Sequence, residues 1–114
     1  MAVKVVYVAG AYRAETEWGV VQNIRHAEAV ALDIWKLGAM AICPHKNTAH
    51  FGGTLPDEVW LQGDLELVRR SDAVCCVAGW DESRGARGEV ALARQLSIPV
   101  FFSTQEVQAW LSSA

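Results

Sequence analysis

Residues 4–10 read Lys-Val-Val-Tyr-Val-Ala-Gly, a nearly continuous run of β-branched and other apolar side chains. A strand with one exposed face alternates apolar and polar residues, and this run does not. Unbroken apolar strands are typical of parallel sheets covered by helices on both faces. The stretch therefore predicts a central, fully buried strand that ends at Gly10.

Outside this stretch, strand-like and helix-like patterns alternate along the chain. Apolar residues recur at intervals of three and four over residues 20–37, and Gly38 supplies a helix stop signal. Gly63 could interrupt the second helix, and Thr104 is the expected N-cap of the last one. The other predicted strands cover residues 39–43, 73–78 and 99–102, and the other predicted helices cover residues 56–70, 86–96 and 104–111.

This alternation predicts an α/β fold with a single domain over residues 1–114. We expect a flavodoxin- or Rossmann-like three-layer sandwich with a mostly parallel sheet of four to five strands. In such sheets ligands bind beyond the carboxyl ends of the strands. Three loops should meet there, at residues 10–18, 44–53 and 79–88, and the longest irregular stretch is expected at residues 45–54.

Composition narrows the classes of partner. The net charge of −3 and the absence of a basic block argue against binding to a nucleic acid polymer. No apolar run approaches the length of a membrane span, and no signal peptide is recognisable, so a cytoplasmic location is expected. The odd number of cysteines, Cys43, Cys75 and Cys76, indicates reduced, buried thiols. This profile favours a small-molecule ligand.

The third loop carries the strongest chemical signal, because it reads Ser83-Arg84-Gly85-Ala86-Arg87-Gly88-Glu89. Its glycines allow a backbone to approach a ligand closely, and the following helix would present free N–H groups to an anion. Ser83, Arg84 and Arg87 could add donors for a phosphate. Glu89 is expected in the first turn of that helix, where a carboxylate could also serve only to stabilise the helix dipole.

Two further segments should reach the same crevice. Asp64 lies in the second predicted helix and would give the second carboxylate that glycosyl chemistry needs, although it could also be a solvated surface charge. On the first strand, the hydroxyl of Tyr7 could hydrogen-bond a carboxylate. Gly10 would leave space for a ribose or phosphate, and Arg13 could bind the phosphate.

The second loop offers candidates for a base pocket. We expect His45 and Asn47 to line it, and Trp80 and Phe51 to stack on the base. His45, Asn47 and His50 beside Cys43 could instead be read as zinc ligands, but their spacing forms no tight ligand pair. The prediction is therefore a site without a metal.

Together, Tyr7…Gly10…Arg13, Asp64 and Ser83…Gly85…Glu89 resemble the nucleoside 2-deoxyribosyltransferase superfamily over nearly the whole chain. The likeness includes the branch that cleaves nucleoside 5′-monophosphates, and points to a compact, poorly characterised part of the superfamily. The resemblance implies that Glu89 is the nucleophile and that Asp64 is the acid or base-orienting carboxylate.

The same resemblance implies that Tyr7 orients Glu89 and that Ser83 binds the 5′-phosphate. Transferases acting on unphosphorylated nucleosides usually have an acidic residue at the position of Ser83. Serine there, with Arg13 and Arg87 nearby, favours a monophosphate.

We therefore expect an enzyme that cleaves or transfers the N-glycosidic bond of a nucleoside 5′-monophosphate or nucleoside. It would need no cofactor and would act as a homodimer or higher homo-oligomer in the cytoplasm. The alternative is a nucleotide-binding sensor or regulatory subunit without turnover. A phosphoribohydrolase of the lysine-decarboxylase-like family ranks third, because its Pro-Gly-Gly-x-Gly-Thr-x-x-Glu motif is absent.

Overall fold

The computed structural model describes residues 2–113 and contains one four-stranded sheet. Neighbouring strands pair in the order β2-β1-β3-β4, and every pairing is parallel. The prediction of an α/β fold with a parallel sheet is therefore confirmed, at the lower of the two expected strand numbers. The strands are β1 (Val5–Ala9), β2 (Met40–Ile42), β3 (Ala73–Cys76) and β4 (Val100–Phe101).

Helices cover both faces of this sheet. They are α1 (Glu17–Lys36), α2 (Pro44–Asn47), α3 (Asp57–Arg69), α4 (Arg84–Gln95) and α5 (Thr104–Ser113). Successive side chains of a strand point to opposite faces. Val6 and Val8 therefore join the core beneath α1 and α5, whereas Tyr7 and Ala9 join the core beneath α3 and α4.

The strand order places a binding crevice beside β1. The chain moves from β1 to β2 on one side of it, and then crosses to β3 on its other side. In parallel α/β sheets such a reversal opens a crevice at the carboxyl ends of the two strands. The ends of β1 and β3 lead directly into the first and third predicted loops.

Hydroxyl caps start two helices earlier than predicted. Thr16 Oγ1 accepts a hydrogen bond from the Gly19 N–H at 3.0 Å, so Trp18, expected in the first loop, lies inside α1. Ser83 Oγ accepts from the Ala86 N–H at 3.2 Å and caps α4. Glu89 therefore lies in the second turn of α4, and its expected place in the first turn was wrong.

Three smaller expectations also change. Residues 45–54 are not wholly irregular, because Pro44, whose fixed φ suits a first helical position, begins the short helix α2. Gly63 does not interrupt α3. At the start of α5 the cap is Ser103, whose Oγ accepts from the Glu106 N–H at 3.2 Å, so Thr104 is the first helical residue. The third loop also contains a 3₁₀ turn at Trp80–Glu82.

Two remaining observations concern composition. All three cysteines are free thiols. Cys75 and Cys76 are buried in β3, as predicted, whereas Cys43, which was also expected to be buried, is only half-buried. Between residues 2 and 113, the helices include none with the length and apolar character needed to cross a membrane.

Candidate active site

A buried hydrogen bond between β1 and α4 forms the centre of the candidate site. The Tyr7 hydroxyl donates to Glu89 Oε2 at 2.6 Å, although the two residues are 82 positions apart. Tyr7 is fully buried and Glu89 is only 7 % exposed. A carboxylate that merely favoured the helix dipole would not need to be buried, so the burial of Glu89 indicates a more specific role.

Asp64 on α3 is the second carboxyl group of the site. Burial raises its pKa to about 6. The pKa of Glu89 is raised to about 8. Burial is the main cause and the negative charge of Asp64 adds to it, whereas the hydrogen bond from Tyr7 lowers the pKa. The pKa of Tyr7 is raised by burial and by both carboxylates, so its hydroxyl remains a donor. The pair therefore holds one proton between about pH 6 and pH 8.

The helices α3 and α4 approach each other closely over these carboxylates. Leu61 and Gly85 lie about one turn towards the helix starts from Asp64 and Glu89, on the side of the crevice. A Cβ added to Gly85 would lie 3.5 Å from Leu61 Cδ2. A methyl group at Gly85 would thus make an ordinary van der Waals contact with Leu61 across the two helices.

Ser83 stands at the start of α4, as the prediction of an anion site requires. Its Oγ already caps the helix through the Ala86 N–H, but its hydroxyl hydrogen remains available to a ligand. The N–H groups of Arg84 and Gly85 lie in the first turn of α4, where the helix supplies no carbonyl acceptor for them, and they point out of the helix. Arg87 is exposed, and its Nη1 donates to the Asp81 carbonyl at 3.2 Å.

Side chains from two helices hold the backbone of the first loop. His45 Nε2 donates to the Ala11 carbonyl at 2.8 Å, and Asn23 Nδ2 donates to the carbonyls of Tyr12 and Arg13 at 3.1 and 3.2 Å. Three successive carbonyls that no strand or helix satisfies thus obtain partners. Asn23 was not among the predicted site residues, since only the folded loop reveals this need.

Gly10 and Arg13 have neighbours that the sequence did not indicate. A Cβ at Gly10 would lie 2.9 Å from the Val77 Cβ, so the missing side chain makes room for Val77 as the chain leaves β1. Arg13 is exposed and forms an ion pair with Asp57 at the start of α3. The guanidinium therefore bridges the first loop and the helix that carries Asp64.

The residues predicted to form a base pocket have separate neighbours. His45 is buried, burial lowers its pKa, and its Nδ1 has no hydrogen-bond partner among residues 2–113. Asn47 is exposed at the end of α2. Trp80 packs against Phe102 at a centroid distance of 5.7 Å, and the exposed Phe51 packs against Trp60 at 6.0 Å. A common base pocket for these side chains remains a prediction.

Histidine, cysteine and carboxylate side chains do not cluster for metal binding within residues 2–113, where no group of three suitable ligands occurs. A groove of about 590 Å³ lies elsewhere, along α1 and β2. The candidate site itself comprises Tyr7, Asp64, Glu89 and the start of α4.

Comparison with known proteins identifies the fold class. A solved structure of a 2-deoxyribosyltransferase from the psychrotolerant bacterium Bacillus psychrosaccharolyticus, described as a biocatalyst for the synthesis of antiviral and antitumoral nucleosides, is similar with a TM-score of 0.60. The sequence identity is 22 %, over 84 % of this chain and 69 % of that chain. This likeness confirms the predicted fold.

The chain belongs to the family described as Domain of unknown function (DUF4406), whose model matches residues 4–102. No curated protein matches the chain. The family description assigns no activity, so any function must be argued from the site itself.

Proposed function

We propose that the protein cleaves or transfers the N-glycosidic bond of a nucleoside 5′-monophosphate or nucleoside, with Glu89 as nucleophile. The observation that carries the proposal is the buried hydrogen bond from Tyr7 to Glu89, with Asp64 close enough to raise the pKa of Glu89. A nucleophile, an orienting donor and a second carboxyl group are the components that a retaining glycosidic reaction requires. The likeness in fold to a 2-deoxyribosyltransferase supports the same chemistry.

In the first step, a carboxylate oxygen of Glu89 attacks the anomeric carbon of the sugar. The bond from that carbon to the base nitrogen breaks, and its electron pair leaves with the base. The proton that Glu89 holds in the free protein passes to Asp64 as Glu89 ionises, and Asp64 donates it to the departing base, so that the base leaves as a neutral molecule. The Tyr7 hydroxyl holds the attacking carboxylate in place and stabilises its ionised form.

In the second step, the covalent ester between Glu89 and the sugar is resolved. Asp64, now ionised, takes a proton from water or from an acceptor base. The activated oxygen or nitrogen attacks the anomeric carbon, and the bond to Glu89 breaks with its electron pair returning to the carboxylate. Water yields a sugar phosphate, whereas an acceptor base yields a new nucleotide.

The start of α4 favours a phosphorylated substrate. A 5′-phosphate could accept from the Ser83 hydroxyl and from the N–H groups of Arg84 and Gly85, at the positive end of a twelve-residue helix. Arg13 could exchange Asp57 for the phosphate, since this ion pair is exposed and easily broken. We propose that the protein acts in the cytoplasm without a cofactor.

The test is a panel of ribo- and deoxyribonucleoside monophosphates with their unphosphorylated counterparts, assayed chromatographically for free base with and without an acceptor base. We expect base release from at least one monophosphate and a much slower reaction with its nucleoside. Glu89→Ala should abolish release but retain binding, and Glu82→Ala, which removes an exposed carboxylate near α4, serves as the matched control. Absence of release across the panel would contradict the proposal.

The burial of Glu89 favours one alternative, a nucleotide sensor without turnover. A carboxyl group that is only 7 % exposed has little access to a sugar in this conformation. A sensor would bind nucleotides with the wild-type affinity in Glu89→Gln and release no base in either protein. If the protein is an enzyme, the wild type releases base and the Glu89→Gln variant does not.

A further inference from the structure

The exposed surface of α1 has two unlike sides. The side that carries Gln22, His26 and Asp33 is polar. The other side, which we call the α1 stripe, repeats at alternating intervals of three and four residues along the helix. The stripe consists of Trp18, Val21, Arg25, Glu28, Leu32 and Trp35.

The apolar members of the α1 stripe are unusually exposed for their size. Trp18 is 67 % exposed, Leu32 is 55 % exposed and Trp35 is 52 % exposed. The stripe lies along one flank of the helix, beside the face on which Ala27, Ala31 and Ile34 pack onto the sheet. No member of the stripe belongs to a core cluster of the described residues, and exposed apolar side chains of this size mark an interaction site.

The spacing of the α1 stripe is the a/d repeat of helices that pack against one another. The repeat extends over about 25 Å, at about 1.5 Å per residue. Its composition is symmetric about the point midway between residues 26 and 27. Tryptophans stand at both outer positions, aliphatic residues stand next to them, and two opposite charges stand in the middle.

We propose that this surface binds a second copy of the same chain, with the two α1 helices antiparallel about a twofold axis. In that arrangement Trp18 of one protomer meets Trp35 of its partner, and Val21 meets Leu32. Arg25 of each protomer meets Glu28 of the other, so the two central charge pairs are complementary. No other orientation of two identical helices pairs every member of the stripe in this way.

The surroundings of the α1 stripe fit this occupant. Leu32 and Trp35 border the groove of about 590 Å³ along β2, which could receive the partner's Trp18. Lys46 Nζ lies 3.3 Å from Glu28 Oε1 and would add a second positive charge to each central pair. The paired surface is smaller than that of permanent dimers, so we expect a reversible equilibrium between monomer and dimer.

This proposal is independent of the proposed function. Helix α1 covers one face of the sheet, whereas Tyr7, Asp64 and Glu89 lie with α3 and α4 at the other face. The proposed contact therefore does not include Tyr7, Asp64 or Glu89.

Charge exchange tests the proposal. Arg25→Glu places like charges opposite each other in the dimer, and so does Glu28→Arg. Sedimentation of either variant alone should give a dimerisation constant at least about tenfold weaker than that of the wild-type chain. An equal mixture of the two variants should form heterodimers, because the two central carboxylates of the first variant would then face the two central guanidinium groups of the second.

The heterodimer arm separates the interface from damage to the fold, because each variant alone should dimerise only weakly and a misfolded chain would not be rescued by mixing. Thermal unfolding of each variant checks its fold, since Glu28→Arg also removes the Lys46–Glu28 ion pair. Asp33→Arg on the polar side of α1 is the matched control and should dimerise as the wild type does. A wild-type chain that is monomeric at all concentrations would overturn the proposal. A dimer that neither single variant weakens would also overturn it, and so would a mixture of the two variants that does not associate.

Discussion

Replacing Glu89 with glutamine should change the pH dependence of stability. Burial raises the pKa of Glu89 from 4.5 to about 8 in the folded protein. In the unfolded chain the carboxyl group is solvated and keeps its ordinary pKa. Between these two pKa values the folded protein holds a proton that the unfolded chain has lost, so its unfolding free energy falls as pH rises.

The magnitude follows from the two pKa values. At about 1.4 kcal/mol per pKa unit, a pKa raised from 4.5 to about 8 corresponds to about 5 kcal/mol of unfolding free energy. This contribution is lost in full once the pH exceeds the folded-state pKa. Between about pH 5 and about pH 7 the wild-type protein should lose about 2–3 kcal/mol through this group. The Glu89→Gln variant has no titrating group at this position, so it does not show this loss of stability. Its amide oxygen can still accept a hydrogen bond from Tyr7.

Urea unfolding followed by tryptophan fluorescence, repeated across this pH range, measures the difference. Asp64 is present in both proteins, so the difference between their pH dependences reports Glu89. Glu82→Gln, which removes an exposed carboxylate, is the control and should follow the wild type. If Glu89→Gln and the wild type lost stability in parallel as pH rises, the buried, protonated state of Glu89 would be refuted.

Three other predictions concern activity and packing. The kcat/KM of nucleotide cleavage should be greatest between about pH 6 and pH 8, where Asp64 and Glu89 share one proton, and a profile that does not fall on either side of this range would contradict it. Tyr7→Phe removes the donor that lowers the pKa of Glu89, so the maximum should fall and the alkaline limb should move to higher pH in the same assay. Gly10→Ala has no room for its methyl group and should lower the free energy of unfolding by about 1–3 kcal/mol. Gly88→Ala, in an open position of α4, should raise the free energy of unfolding by up to about 1 kcal/mol. Equal effects of the two substitutions in urea unfolding would contradict the packing argument.

Much of the fold was predictable because its signals are local. The unbroken apolar run of β1 and the three-and-four repeat of α1 each determine an element type without knowledge of its neighbours. The boundaries were less predictable. Thr16 and Ser83 are ordinary polar residues in the sequence, and only the folded backbone shows that their side chains cap α1 and α4.

The candidate site was predictable in part for the same reason. Strand alternation places Tyr7 on one face of β1, and topology brings the third loop to the end of β3. The identity of its partner across 82 residues came from the family resemblance. No local pattern indicates that His45 and Asn23 satisfy the carbonyls of the first loop, because that loop has no unsatisfied carbonyls until it is folded.

The central polar cluster destabilises the domain that contains it. Two carboxyl groups and a phenol occupy the space between an apolar sheet face and two helices, where apolar side chains of similar volume would be expected to be more stable. Burial disfavours the charged form of each carboxyl group, and the raised pKa values of Asp64 and Glu89 measure that cost. Packing alone gives no reason for this arrangement, whereas a reaction that needs one ionised and one protonated carboxyl group at neutral pH does. The same burial that makes Glu89 a poor structural residue is what keeps a proton on the pair at the pH where a glycosidic bond would be cleaved.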